Sequence, residues 1–374
     1  MLLSDTEVIS RVLSHIDNQT TDLGDRDWQE PVENYSSMAR FNAELKLMRH
    51  LPVPFCPTAA LPENGSYVAR VAAGVPIVVV RTMDGTIRAF RNACRHRGMQ
   101  VVQGSGCAKV LKCGYHGWAY RLDGRLEHIP HDYGFPDFDK DTHGLVPVTA
   151  EVKNGLVFVT QEEPLTRAPL LDTPVMMPAD YQIFDSRENT SDINWKLNIE
   201  ATMEGYHIKP THPETFYPYG YDNLNVVETN GINSRITFPF RRIEKLREVP
   251  EAERKIDRMV TYVYNIFPFA SVAVLSNHTS ITISEPISPT MTRFVNYKMG
   301  PARDDDAEAL QRAKKDASFV ADTGLLEDNA VIRAIQAGLA SGANTHFTYG
   351  RFEKAIVHLH KNLAEQLQSL NQFG

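Results

Sequence analysis

The chain has 374 residues, 42% apolar and 23% charged, with no low-complexity tract; this is the profile of a folded globular protein long enough for two domains. A net charge of −7 argues against a nucleic-acid or anionic-membrane partner. No apolar run approaches the roughly 20 residues of a membrane-spanning helix, and Val75–Val80 has only the length of a buried strand.

Taken in chain order, Ser4-Asp5-Thr6-Glu7 reads as a capping box that opens a helix, with Val8, Ile9, Val12, Leu13 and Ile16 at helical spacing. The start lacks the basic segment and cleavage site of a signal peptide, so a cytoplasmic protein is expected. Residues 1–44 are expected to form a helical lead-in packed on the second domain, with a polar, acidic linker over Thr20–Glu33. Residues 45–163 alternate short β-rich runs with turns. Tyr67–Val71, Pro76–Thr82 and Leu156–Thr160 read as strands, and Asp84-Gly85 and Asp123-Gly124 as hairpin turns. Pro164, Pro169, Pro174 and Pro178 mark an irregular crossover into a domain over 164–374. There, Trp195–Lys209, Asp304–Ala321 and Asn329–Ser341 are helical in pattern. Val260–Ile266, Ala270–Leu275, Thr279–Glu285 and Thr292–Met299 read as strands of one antiparallel sheet. A last helix carries Phe352, Ala355, Ile356, Leu359, Leu363, Leu367 and Leu370 on one stripe, which reads as core or subunit contact. The expected fold class is α+β: a small all-β domain followed by a larger domain with an antiparallel sheet flanked by helices.

The most informative residues are Cys94-x-His96 and Cys113-x-x-His116. Two thiolates and two imidazoles on two short loops are the ligand set of a Rieske [2Fe–2S] centre, in which cysteines hold one iron and histidines the other. Gly98, Gly114 and Gly117 let the backbone bend around an inorganic core, and Trp118 is placed to shield it. A structural zinc site is the rival, although zinc modules usually pair their thiolates within one arm. Cys56 and Cys107 remain; a disulfide between them is one reading, and free, buried thiols are the favoured one.

Asn92-Ala93-Cys94-Arg95-His96-Arg97-Gly98 with Lys112-Cys113-Gly114-Tyr115-His116-Gly117-Trp118 resembles the Rieske domain of the ring-hydroxylating oxygenases. Respiratory Rieske proteins carry an extra cysteine in each loop, where this chain has Met99 and Tyr115. The resemblance is therefore to the soluble oxygenase and ferredoxin branch.

Glu204-x-x-His207-x4-His212 is the second constellation. On one continuous helix, His207 and His212 would splay by more than a right angle, but Pro210 is expected to end the helix near Lys209 and leave His212 on a loop. By themselves two such histidines are ordinary surface or core residues. Together with Asn194-Trp195-Lys196, Glu200, Tyr206 and Pro213, they resemble the mononuclear-iron segment of the same family. The resemblance implies an Fe(II) site completed by a distant Asp as a two-histidine, one-carboxylate triad. Asp328, in Leu326-Glu327-Asp328-Asn329, is the best match, with Glu327 as rival and helix-start acidity as the structural alternative. Glu204 would be the acid that bridges a cluster histidine of one subunit to an iron histidine of the next, implying a head-to-tail homotrimer. The usual residue there is Asp, and Glu is similar to the branch that acts on quaternary ammonium compounds. Glu200 either approaches the iron pocket or is a solvated or capping acid.

The implied activity is that of a terminal oxygenase that takes O2, and electrons from NAD(P)H through a reductase with or without a ferredoxin. The chain has no Gly-rich dinucleotide fingerprint of its own. Hydroxylation or dihydroxylation of an aromatic or apolar compound is the first reading, and oxidation or N-demethylation of a quaternary amine the second. The amine would need an aromatic cage, for which Tyr206, Phe216, Tyr217, Tyr219 and Tyr221 are candidates, although ordinary packing is the favoured reading for them. Arg241-Arg242 could pair a substrate carboxylate. A Rieske electron carrier without chemistry of its own is the alternative from another class, and it would need only the first domain.

Overall fold

The computed structural model describes residues 2–301 and 307–373, and the chain divides into two compact units, Met48–Leu170 and Met1–Leu47 with Leu171–Gly374. In the first unit, seven strands form one antiparallel sheet in the order Val53–Pro57, Leu156–Thr160, Pro147–Lys153, Ile87–Arg91, Val75–Arg81, Ser66–Ala72, Gly104–Cys107. A three-stranded antiparallel sheet of Val110–Lys112, Ala119–Arg121 and Leu126–His128 accompanies it. Val78, Val80, Phe90, Leu111, Trp118, Tyr120 and Leu126 share one buried cluster with Cys94 and Cys113. The two Asp-Gly turns fall between paired strands, with Gly85 at φ 85° and Gly124 at φ 90°, a region that L side chains avoid. Cys107 corrects the expectation of a buried thiol. It lies on the edge strand of its sheet and is exposed, whereas Cys56 is fully buried; both are free.

In the second unit, seven antiparallel strands run in the order Gln182–Ser191, Met291–Gly300, Thr279–Ser288, Ala270–Val274, Val260–Ile266, Asn233–Pro239, Val226–Asn230. The four strands read from the sequence are neighbours in this sheet. Helices Ala307–Asp322, Gly324–Leu339 and Lys354–Phe373 accompany it, the last burying Ala355, Ile356, Leu359, Leu363, Leu367 and Leu370. Asp304–Asp306, at the start of one expected helix, lie outside the described residues. The first helix, Asp5–Asn18, is opened by Ser4 and Glu7 as a reciprocal capping box. The Thr20–Glu33 segment is not a plain linker: Trp28–Pro31 is a strand that pairs with His346–Tyr349. Its polarity reflects one partner strand only, a tertiary fact that local sequence does not carry.

Trp195–Lys209 is not one helix. The helix Trp195–Ala201, N-capped by Asn194, stops early, and a separate turn runs over Ile208–Thr211. Gly205 lies in the gap between them, where a Cβ would sit 2.3 Å from Asn225 Oδ1. Pro210 is tolerated inside so short a turn, since its missing N–H falls where no intrahelical partner exists.

Buried charges fix the N-terminal side of that helix and its end. Lys196, fully buried, donates to both Glu44 oxygens at 2.9 and 2.8 Å, and Trp195 Nε1 donates to Glu44 at 3.1 Å. Glu200 is neither solvated nor in the iron pocket. It accepts from Tyr35 Oη at 2.7 Å and Tyr349 Oη at 2.9 Å and pairs with His360 Nε2 at 2.9 Å, while His360 Nδ1 lies 3.3 Å from Glu30. Burial opposes charge on His360, but Glu200 and Glu30 outweigh it and hold its pKa up at about 9. Burial also opposes charge on Glu30, and bonds from His360, Trp28 and Asn34 pull it down to about 2. The Glu30 contribution to stability is therefore present above its ordinary 4.5 and lost as pH falls towards 2. That of His360 is full below its ordinary 6.5 and lost as pH rises through 9. The network should stabilise most between pH 4.5 and 6.5. Replacing His360 by Gln is expected to cost about 3–5 kcal/mol at pH 6, because Glu30 and Glu200 stay buried without their cation. Thermal unfolding across pH should show wild type losing this advantage between pH 6.5 and 9; an equal gap at all pH values would contradict the charged network.

Candidate metal centres and substrate cavity

Two loops at one end of the first unit carry its candidate ligands. Asn92 braces the first by accepting from Val101 N at 2.9 Å and donating to Val102 O at 2.7 Å. Gly98 N returns to Cys94 O and Gly117 N to Cys113 O, so each loop curls back on its cysteine. Gly117 needs φ 77°, and a Cβ there would meet Pro130 at 3.1 Å. The thiols of Cys94 and Cys113 are buried; His96 is half-buried and His116 exposed, with their Nδ1 atoms 3.0 Å apart. Trp118 lies under His96 as a parallel ring at 5.0 Å. Tyr120 Oη contacts Cys94 Sγ at 3.3 Å and accepts from Arg95 N at 2.8 Å. Buried thiols on one side and outward-facing imidazoles on the other suit a two-iron cluster with its histidine-bound iron near the surface.

In the second unit, Glu204 caps the turn that holds His207. Its carboxylate accepts from the backbone N–H of Tyr206 and of His207 and pairs with His207 Nδ1. The contact is therefore made by a capping carboxylate in a turn and not across a helical face. His207 and His212 flank Ile208–Thr211 and their rings approach to 5.3 Å. The helix Gly324–Leu339 begins earlier than its sequence pattern indicated, so Glu327 and Asp328 both lie in its first turns. Being consecutive, they point in directions about 100° apart and straddle His212. Asp328 Oδ1 is 2.9 Å from His212 Nε2 and 3.6 Å from His207 Nε2, whereas Glu327 Oε2 bonds His212 Nδ1 at 2.7 Å and Thr215 Oγ1 at 2.6 Å.

Three donor atoms from His207, His212 and Asp328 lie within 4.8 Å of one another. His212 is fully buried, and its Nε2 has no well-directed hydrogen bond despite the nearby Asp328 oxygen. A buried nitrogen left without a directed partner, beside a second imidazole and a carboxylate, fits a metal ligand. Burial opposes charge on both histidines, yet the carboxylates raise the pKa of each. Burial, with Glu204 and Glu200 nearby, pushes Glu353 up to about 7.

The triad opens on a cavity of about 420 Å³. Phe216, Tyr219 and Tyr221 line it, which corrects their reading as packing residues; Tyr206 and Tyr217 do not. Local sequence missed most of its wall. Phe238 with Phe240, Thr261 with Val263, and Ala273 with Leu275 are pairs two apart from three adjacent strands, Phe240 and Leu275 lying one residue past their strand ends, joined by Phe319 from a helix. Period-2 alternation could have suggested these pairs, but not which face they serve. Arg241 stacks on Tyr217 and Tyr221, while Arg242 lines the cavity.

Residues 52–139 match the Rieske [2Fe-2S] domain model, and residues 178–369 match that of the ring hydroxylating alpha subunit catalytic domain. The chain belongs to the Rieske ring-hydroxylating oxygenase family. It is 25% identical over 372 residues to the carnitine monooxygenase oxygenase subunit of Escherichia coli K12, covering 90% of this chain and 93% of that one. A glycine betaine monooxygenase oxygenase subunit of Chromohalobacter salexigens is 38% identical over 167 residues, 42% of this chain and 37% of its own length. The quaternary ammonium Rieske monooxygenase CntA superposes with a TM-score of 0.77 at 21% identity, covering 98% of this chain and 99% of that one. Naphthalene 1,2-dioxygenase of Rhodococcus reaches 0.75 at 18%, with the same coverage. At these identities the superpositions speak for the fold alone. The family carries a [2Fe–2S] cluster and a mononuclear iron, with electrons drawn from NAD(P)H through a reductase.

Glu327 orients His212 from the side opposite the triad. Substituting it by Ala is expected to weaken Fe(II) binding about ten- to hundredfold with the first unit's visible spectrum intact, and unchanged iron affinity in anaerobic titration would refute that orienting role.

Proposed function

We propose that this chain is the terminal oxygenase of a multicomponent system that oxidises a quaternary ammonium compound. The observation that carries the reading is the His207–His212–Asp328 triad opening onto a cavity walled by aromatic rings. Such faces attract a desolvated cation through their quadrupoles. The similarity to carnitine and glycine betaine monooxygenases, together with Glu rather than Asp at position 204, puts this substrate class ahead of the aromatic hydroxylation that the sequence placed first.

In this reading Cys94, Cys113, His96 and His116 hold the [2Fe–2S] cluster, and His207, His212 and Asp328 hold Fe(II). Bound there, the iron supplies O2 activation with its open positions, and the cluster supplies electrons. The residues of the chain do the rest. Glu204 keeps the outer nitrogen of His207 bonded and its ring oriented, and Glu327 with Thr215 does so for His212. Phe216, Tyr219, Tyr221 and Phe319 hold the substrate and exclude water. Glu204 also serves as the bridge to a cluster histidine of a neighbouring copy, in a head-to-tail homotrimer. Among the described residues no helix is long and apolar enough to cross a membrane. Free thiols and a redox cluster suit the reducing cytoplasm.

Two experiments test this. First, reduced protein with O2 should oxidise a trimethylammonium substrate in a single turnover, whereas Asp328→Ala should lose mononuclear iron and at least about a thousandfold of that yield, its cluster spectrum unchanged. Turnover of naphthalene-like hydrocarbons in place of the cation would reverse the substrate assignment. Second, Cys113→Ser chains co-assembled with Asp328→Ala chains should regain part of the activity that neither has alone; no rescue in verified mixed oligomers would remove the bridging role of Glu204.

A further inference from the structure

The cavity's charged lining groups are His207, His212 and Asp328 at the triad, and Asp316 and Arg242 elsewhere. Asp316 is engaged: its Oδ2 bonds His278 Nδ1 at 3.0 Å and accepts from Asn277 N at 3.1 Å. Arg242 is fixed but has no ion-pair partner among the described residues. Its Nε donates to Arg258 O at 2.6 Å, its Nη2 to Ser276 Oγ at 2.9 Å, and its guanidinium lies 4.3 Å over the Phe240 ring. A second cation, Arg258, stands beside it and donates to Asn277 Oδ1 at 2.6 Å. The wall thus carries one guanidinium, Arg242, near the already engaged carboxylate of Asp316 and among aromatic and aliphatic side chains, while Arg258, next to it, does not line the cavity.

A guanidinium held in place by two hydrogen bonds and an aromatic face is preorganised, and a planar oxyanion meets it without further ordering cost. A cationic group placed directly against Arg242 would be repelled by it. We propose that Arg242 is a specificity-determining residue that binds a carboxylate at the end of the substrate away from the reacting carbon, so that the cavity takes a zwitterion rather than a simple cation. Ser276 and Phe240 position the guanidinium, and Arg258 adds to the local positive field. The inference rests on the oxygenase reading of this cavity, and it stands whether or not the other end of the substrate is an ammonium group.

The test is anaerobic calorimetric titration of the reduced holoenzyme with three ligand sets. The first is trimethylammonium carboxylates with one to three methylenes between the charged ends. The second is the matching alcohols, and the third the carboxylates with tert-butyl in place of trimethylammonium. Wild type should prefer carboxylate over alcohol by about ten- to hundredfold, the worth of a charge-assisted pair. Arg242→Gln should collapse that preference, and Arg242→Lys should restore part of it, with iron content and cluster spectrum serving as folding controls. No preference in wild type, a preference that survives Arg242→Gln, or no binding of any carboxylate would overturn the proposal. If tert-butyl carboxylates bind as tightly as the trimethylammonium ones, with the same dependence on Arg242, the carboxylate site stands and the quaternary-ammonium reading fails.

Discussion

The second unit is organised around imidazoles held between carboxylates. His212 is completely buried, and a buried imidazole keeps its orientation only if both ring nitrogens have something to meet. Glu327 takes Nδ1, and the Nε2 side faces Asp328 and His207. His207 repeats the pattern, with Glu204 on Nδ1 and the triad on Nε2. Each ring is turned so that one nitrogen is bonded from behind and the other points to a shared centre. That arrangement brings three carboxylates and two imidazoles into a small volume, and a divalent cation would neutralise part of their excess negative charge.

Holding such a centre requires a backbone that does not relax. The chain that carries Glu204 and His207 leaves a helix whose side chains are tied down by buried charge: Lys196 to Glu44 near its start, Glu200 to His360 and two tyrosines near its end. These pairs draw on Tyr35, Glu44, Tyr349 and His360, so the N-terminal segment and the last helix both constrain the site without lining it. Broken singly, such buried pairs are costly, which makes them effective at fixing one conformation. The first unit solves its own problem differently. Its two loops curl on backbone hydrogen bonds to the cysteines, and Trp118 and Tyr120 pack beneath, so the ligand geometry depends on neutral packing.

What the sequence discloses follows from how local each feature is. Cys94 with His96 and Cys113 with His116 are legible because each pair sits within one short loop. The four central strands and the capping box are legible because periodicity and capping are local. Asp328 is more than a hundred positions from His212 and was reachable only through resemblance to a family. The continuous pattern through His207 is interrupted after Ala201, and Gly205 within the gap packs on Asn225, just before the next strand, a contact that helical periodicity does not register. Glu200 could not be read, since its partners lie at positions 35, 349 and 360. The cavity wall was half legible: alternation marks Phe238 and Phe240 as one face, but only the order of strands assigns that face to the site.

Whether one chain holds two different iron sites is decided by metal and inorganic-sulfide analysis of anaerobically purified protein, with EPR of the dithionite-reduced form. About three irons and two sulfides per chain and a Rieske-type signal are expected, the count set by two cluster irons plus one at a two-histidine, one-carboxylate triad. About two irons and two sulfides that persist after iron reconstitution would contradict the triad and leave an electron carrier; zinc without sulfide would contradict both sites.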